Sequence, residues 1–540
     1  MTVLDVRTTP PTTSLVVGRP ARRIPVSAIA LTFLVAFLLV PLGAVVWHSF
    51  DSASLSLLMH WSTWRTVLLA AAQGLVSTAL TFAIALPITG VLARYQVRGG
   101  GVVRALATIP FVLPTVVVAL AVRQLLPAQW GEGFSAVVIA HALLNVAVVL
   151  WLVGTLWEQL DPRLEQVAAS LGARPSTALR TITLPQLRPA LLAAGALVFA
   201  YTTTSLGVVL ILGDQSTPTL ELDIFRRTGV LVDLSGASVV ALLQLCLVGS
   251  VLCIAAWLQS RTAHQVRRRT AAPSKKQAVG RQRIVVWTIV IVTLVIVVAP
   301  LAALAARSLR DGSHWTLNWW TGLGSIDRGT TRLGSPIDAL AISGRTAILA
   351  AFMAVGVGAS LAIGALRSRS GRVVAAAGLL PLAVSAATLG LGTLLVFGRP
   401  PLDLRSSGLI VSVAHALVAV PVVLGAMLPA LRSVDTRLVL VAAGLGGRPL
   451  RAFVTAYGTV LVRAGAAAGA LAFAISLGEF GAASFLGRAG TPTLPVQIGR
   501  LLGRPGEASI GTAAALAVLL ALVTASVVLV VERLMRMRRA

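Results

Sequence analysis

The chain has 540 residues, 56% of them hydrophobic and only 12% charged, with a mean hydropathy of +0.89. Soluble domains carry about 25% charged residues, so this chain lacks the polar surface to cover several of them. A formal net charge of +27 would suggest nucleic acid in a soluble protein. Here the basic residues lie between apolar runs and read as membrane-topology signals, and no nucleic-acid partner is expected.

Residues 1–23, rich in Pro, Thr and Arg, read as a disordered cytoplasmic tail. Arg19, Arg22 and Arg23 precede an apolar run, as in a signal peptide. That run, from Ile24 to Trp47, is longer than the usual apolar region and no clear small-residue cleavage site follows, so a retained first span is expected. A span needs about 20 apolar residues. Runs at 25–47, 66–93, 102–126, 134–157, 187–212 and 237–258 form one set of six, and 284–306, 340–366, 373–397, 408–431, 460–486 and 508–531 a second. Cys246 and Cys253 lie in one run and are expected to share a helix face and pack; they form no disulfide or metal pattern.

Lys and Arg cluster in alternate connections: the N-terminal tail, 94–104, 158–186, 261–283, 367–372, 432–459 and the C-terminal end. The linker 261–283 alone holds eight basic residues and no acid. In 213–235, by contrast, Asp214, Glu221, Asp223 and Asp233 outnumber Arg226 and Arg227. Both termini are therefore expected on the cytoplasmic side of a multi-pass protein of the cell membrane. Because six is even, the two sets start on the same side and read as parallel repeats.

Residues 141–224 align with 415–498 without a gap, and 36 of 84 positions are identical. The matches include His141/His415, Asp161/Asp435, Gly172/Gly446 and Thr217-Pro218-Thr219-Leu220/Thr491-Pro492-Thr493-Leu494. The period is far too long for a solenoid and describes two tandem domains, 24–260 and 284–540, joined by the basic linker 261–283. The expected fold is an all-α membrane protein of twelve transmembrane helices in two parallel six-helix repeats.

Between the fourth and fifth spans of each half runs a cytoplasmic loop. In the first, Leu164, Val167, Ala168 and Leu171 recur at helical spacing, Gly172 stops the helix, Pro175 opens a second short helix and Pro185 is expected to break the chain before span five. The result is a helix–Gly–helix protrusion with an apolar and small face of the kind that seeks a partner groove. Gln166-Val167-Ala168, Gly172 and Ile182-Thr183-Leu184-Pro185 resemble, at matching spacing, the EAA loop of permease subunits of ABC importers of the type I fold, with Gln in place of the first Glu. The second loop keeps Leu440-Val441-Ala442 and Gly446 at the same spacing, but its end reads Ala456-Tyr457-Gly458-Thr459 and is degenerate.

The resemblance implies that these loops dock in grooves of a separate ATPase. It also implies that one fused chain serves two ATPase subunits together with an extracytoplasmic substrate-binding protein. A P-loop needs Lys beside Ser or Thr. The only lysines are Lys275 and Lys276, followed by Gln277, so the chain is expected to be no enzyme and to need no cofactor or metal of its own. Permeases with fused halves are similar to the thiamine and iron(III) importers, and the element around Glu221 looks slightly more like the thiamine permeases.

Glu479 lies inside span eleven where the first half has Ser205, so these two are the candidate pathway residues; the competing reading of Glu479 is a carboxylate held by backbone at a helix break. His141 and His415 read as packing residues. Pro110, Pro114 and Pro381 are expected to kink the third and ninth spans, and Gly478 and Gly481 to permit close helix approach. The alternative function is a secondary transporter with two parallel six-helix halves, which would need neither an ATPase nor a long docking loop.

Overall fold

A computed structural model describes residues 26–537 apart from 215–216, 263–274, 325–334, 368–369, 399, 401, 436 and 489. The N-terminal tail, most of the basic linker and the last three residues therefore lie outside the described residues. Apart from one two-residue hairpin, Arg310–Asp311 with His314–Trp315, the ordered elements are helical. That is the expected solution in lipid, where each backbone polar group must find a partner within its own segment.

The first half runs α1 (Ser27–Ser49), α2 (Trp61–Arg94), α3 (Gly100–Val112), α4 (Thr115–Leu125), α5 (Phe134–Gln159), α6 (Arg163–Ser170), α7 (Pro175–Thr203), α8 (Leu206–Leu212), α9 (Leu220–Arg226) and α10 (Leu234–Thr262). The second half repeats the order as α11 (Arg281–Arg307), α12 (Pro336–Arg367), α13 (Gly371–Leu379), α14 (Ala386–Phe397), α15 (Leu409–Arg432), α16 (Arg437–Gly444), α17 (Pro449–Gly478), α18 (Gly481–Leu486), α19 (Leu494–Leu502) and α20 (Glu507–Met537). Ten of these helices are long and apolar enough to cross a membrane alone, and two bent pairs bring the number to twelve if each pair counts as one span.

Those bent pairs are the third and ninth spans. Helices α3 and α4 meet at 105°, and the segment from α13 through Ala383 meets α14 at 96°. Pro110 and Pro381 lie just before the bends, which fall at Leu113–Pro114 and Val384–Ser385. Each bend is a turn of about a right angle rather than the kink expected of a proline in a continuous helix.

Two further expectations need correction. Pro185 does not break the chain: α7 runs through it by way of a π turn, Leu179–Thr183. The wider π turn re-registers the hydrogen bonds where proline has no N–H to give. Cys246 and Cys253 do share a face of α10, but that face is exposed, while Ala241, Gln244, Val248 and Ala255 turn toward the protein.

The first helix of each half packs on the opposite half. Helix α1 lies along α12 and α13, and its second part, Val40–Ser49, passes between α10 and α14. Gly364 of α12 faces Ser27, and a β-carbon at Gly392 of α14 would lie 2.6 Å from the Pro41 carbonyl oxygen. In return α11 lies along α4 and α3, and its Val286 and Val290 join a core with Val103, Val149 and Leu187 of the first half. The larger core runs continuously through residues of both halves.

Candidate translocation pathway and coupling loops

Gly172 and Gly446 end α6 and α16 in the same way. Both hold a left-handed backbone, with φ of +84° and +81°. The Gly172 N–H donates to Ala169 O (3.0 Å) and Ala173 N–H to Ala168 O (2.9 Å); Gly446 N–H donates to Ala443 O (3.0 Å) and Gly447 N–H to Ala442 O (3.1 Å). These backward bonds close the last turn and reverse the chain. The turn leaves Leu171 and Leu445 each 83% exposed at the tips, beside exposed Val167 and Val441. Gln166 is also exposed, whereas Ala168 and Ala442 are half-buried beneath the tips; Ile182, Leu184 and Pro185 are half-buried where α7 begins. The residues predicted from sequence thus form two apolar ridges, one in each half.

The ridges are held differently. In the first half the Glu165 carboxylate accepts from both Arg94 at the end of α2 and Thr183 at the start of α7. Arg94 also donates to Thr183 Oγ1 at 3.1 Å and lies over the Trp157 ring. In the second half the residues at these positions are Val439 and Tyr457. Tyr457 is buried and stacks on Phe453 with ring centroids 4.8 Å apart. An ionic clamp on one side is replaced by aromatic packing on the other. Glu165 escaped the sequence reading because it falls just outside the motif; its partners come from distant helices.

The other candidate residues lie at the breaks in the fifth and eleventh spans. Ser205 separates α7 from α8, and its hydroxyl is buried with no partner. Glu479 separates α17 from α18; its Oε1 accepts the Ala482 N–H at 3.1 Å, which caps α18. Glu479 is therefore held by backbone at a helix break, as the competing reading of the sequence had it, and the residue as a whole is half-buried. Around the two breaks the bends of the third and ninth spans come in. A β-carbon at Gly478 would lie 3.0 Å from Pro114 Cα, and one at Gly481 would lie 2.9 Å from Ala386 Cβ. Gly207, which matches Gly481 in the repeat, faces Thr115 and Val116 in the same manner. Each break thus rests on a bend, and the contact between Gly478 and Pro114 joins the two halves.

His141 and His415 are each 1% exposed and bond through Nδ1, to Gln73 Nε2 at 2.7 Å and to Ser476 Oγ at 2.8 Å. Both serve helix packing with different partners. A polar pair whose meeting the sequence did not reveal sits beside the breaks. Glu221, near the start of α9, is 1% exposed, and Gln244 of α10 is 2% exposed. Gln244 Nε2 donates to Glu221 Oε1 at 2.8 Å and to the Thr203 carbonyl at 2.9 Å. An amide in the run Leu242-Leu243-Gln244-Leu245 was the available signal, since polar groups within a span are costly. No cluster of His, Cys, Asp and Glu suited to a metal occurs among the described residues.

Comparison with known proteins places these features in a family. Residues 85–264 match the model for the binding-protein-dependent transport system inner membrane component. The putrescine transport system permease protein PotI of Escherichia coli is 30% identical over 275 residues, covering 47% of this chain and 95% of that protein. The sulfate transport system permease protein CysT of Salmonella typhimurium is 28% identical over 223 residues, 37% of this chain and 78% of the relative. The thiamine transport system permease protein ThiP of E. coli is 25% identical over 509 residues, 88% of this chain and 90% of the relative. With two ridged loops, paired bends and breaks, and this kinship, the chain belongs to the binding-protein-dependent transport system inner membrane components, the permeases of ABC importers.

Proposed function

We propose that this chain forms the whole membrane pathway of an ABC importer and takes up thiamine. Its two ridges face the cytoplasm and each docks in a groove of one of two copies of a separate ATPase; an extracytoplasmic binding protein delivers the solute at the other end. The pathway runs between the breaks at Ser205 and Glu479, where both halves contribute unpaired or half-buried polar groups. The observation that carries the coupling role is the pair of apolar tips, Leu171 and Leu445, each 83% exposed at matching places in the repeat. An apolar tip on a short helical turn gains most by entering a partner's groove.

Thiamine is preferred to the sulfate and putrescine named for other relatives because the thiamine permease aligns with both halves in one chain, whereas those for sulfate and putrescine align with about half of it or less; it is preferred to iron(III) for the element around Glu221, which looks more like the thiamine permeases. The test is calorimetric titration of the cognate binding protein with thiamine, ferric iron, putrescine and sulfate. Tight binding of thiamine alone supports the assignment, and tight binding of another solute replaces it. Copurification with the ATPase at one permease chain to two ATPase chains tests the stoichiometry.

A further inference from the structure

Glu221 and Glu479 come from different halves and are separated by most of the second half of the sequence, yet both are brought to α14, which α9 contacts and on whose Ala386 the turn after Glu479 packs. Both border the bend of the ninth span. Ser385, which caps α14, stands beside Glu221, and Gly481, two residues after Glu479, packs on Ala386. The single Ser385 hydroxyl lies within hydrogen-bonding reach of both Glu221 and Thr388 Oγ1, the latter at 2.9 Å, and so can serve only one of them at a time. No Lys or Arg pairs with either carboxylate among the described residues.

The group is deficient in donors. Glu221 Oε2 is buried and accepts nothing. Gln244 spends its amide N–H groups on Glu221 Oε1 and the Thr203 carbonyl, which leaves its own Oε1 buried without a partner. Two carboxylates in a low-dielectric seam repel, and buried acceptors without donors carry the full cost of lost hydration. A single proton shared by the carboxylates would relieve the repulsion but leave the Gln244 oxygen unsatisfied. A cation bearing several N–H donors, such as an alkylammonium or an aminopyrimidine attached to a positive ring, supplies both the charge and the donors that these acceptors lack. An oxyanion would bring a further negative charge to two carboxylates whose nearby donors are already engaged.

We propose that Glu221 and Glu479, with Gln244, form the position at which a cationic group of the solute is held as it crosses the seam between the halves. This rests on the reading of the two helix breaks as the pathway and narrows the cargo to cations.

The test uses the full transporter, this chain with its ATPase and binding protein, in proteoliposomes, with labelled thiamine, putrescine and sulfate as probes. Wild-type uptake of a cation is expected, with uptake per assembled complex falling about tenfold in Glu221→Gln and also falling in Glu479→Gln. If Glu221→Gln lowers the yield of complex, uptake per complex in Glu479→Gln, a half-buried position, decides. Thiamine uptake that both variants retain overturns the carboxylate pair and leaves the thiamine assignment standing. Putrescine uptake without thiamine uptake, lost in the variants, overturns thiamine and supports the pair. Uptake of sulfate, or of neither cation, overturns the pair.

Discussion

Pro114 of the first half lies directly against Gly478 of the second, so close that a β-carbon at 478 would stand 3.0 Å from Pro114 Cα and 3.3 Å from its ring. The bend of one half and the helix break of the other are thus in van der Waals contact at the seam. Backbone at Pro114 cannot swing aside as a flexible side chain would. Gly478→Ala is expected to cost about 1–3 kcal/mol through overpacking. The control is Gly425→Ala on α15, where nothing lies within 4 Å and alanine favours the helix. Thermal unfolding of the two purified variants compares them; equal midpoints would remove Gly478 from the seam.

The two coupling loops give a second expectation. Nothing lies within 4 Å of a β-carbon at Gly172 or Gly446, so the left-handed backbone and not lack of space demands glycine at both. Any other residue is strained by about 1–2 kcal/mol, and Arg adds a charged chain beside an apolar tip. Gly172→Arg should insert normally yet lose solute-stimulated ATPase activity in the assembled complex. Gly446→Arg should impair transport less, since its loop lacks the Ile182-Thr183-Leu184-Pro185 ending. Equal or reversed losses at matched expression would contradict this ordering.

The clamp at Glu165 allows stability and coupling to be separated. Its side chain and that of Arg94 are 23% and 31% exposed, so solvent screens the pair and its net worth is at most about 1 kcal/mol. Glu165→Gln should change the unfolding midpoint little while loosening α6, which then transmits solute binding poorly to the ATPase. The expected reading is a reduced ratio of stimulated to unstimulated hydrolysis at near-normal complex yield. An unchanged ratio would make the clamp a surface ornament of the loop.

The exchanged first helices predict how a cut chain behaves. Lys275 and Lys276 are the only lysines, and they lie between the halves. They are also anchored: Lys275 Nζ donates to Leu92 O at 2.6 Å and lies 3.1 Å from Glu158 Oε1, while Lys276 N–H donates to Arg94 O at 2.9 Å. A lysine-specific protease can therefore cut only between the halves, and only slowly while this anchor holds. Lys275→Met, which removes the Nζ contacts, should speed cleavage at the remaining lysine. The two fragments should still elute together in mild detergent, because α1 and α11 each lie on the opposite half. Prompt separation of the fragments would refute the interlocked packing.

Several layers of this protein were legible in the chain itself. The repeat, the apolar runs and the coupling loops are local features: hydropathy counts residues along one segment, and Gly172 and Gly446 announce a helix end wherever they stand. Pro110 and Pro381 marked the third and ninth spans correctly, but a proline in a run does not say whether the helix kinks or turns by about a right angle. That choice belongs to the packing of each bend on a helix break, through Gly478 on Pro114 and Gly481 on Ala386. The exchange of α1 and α11 between halves leaves no trace in composition, since a lipid-facing and a partner-facing valine look alike in sequence. The meeting of Glu221, Gln244 and Glu479 was equally hidden. Each is an ordinary polar residue in its own segment, and only the tertiary structure, by bringing two halves to one seam, decides that their unpaired oxygens face a common problem of charge and hydration.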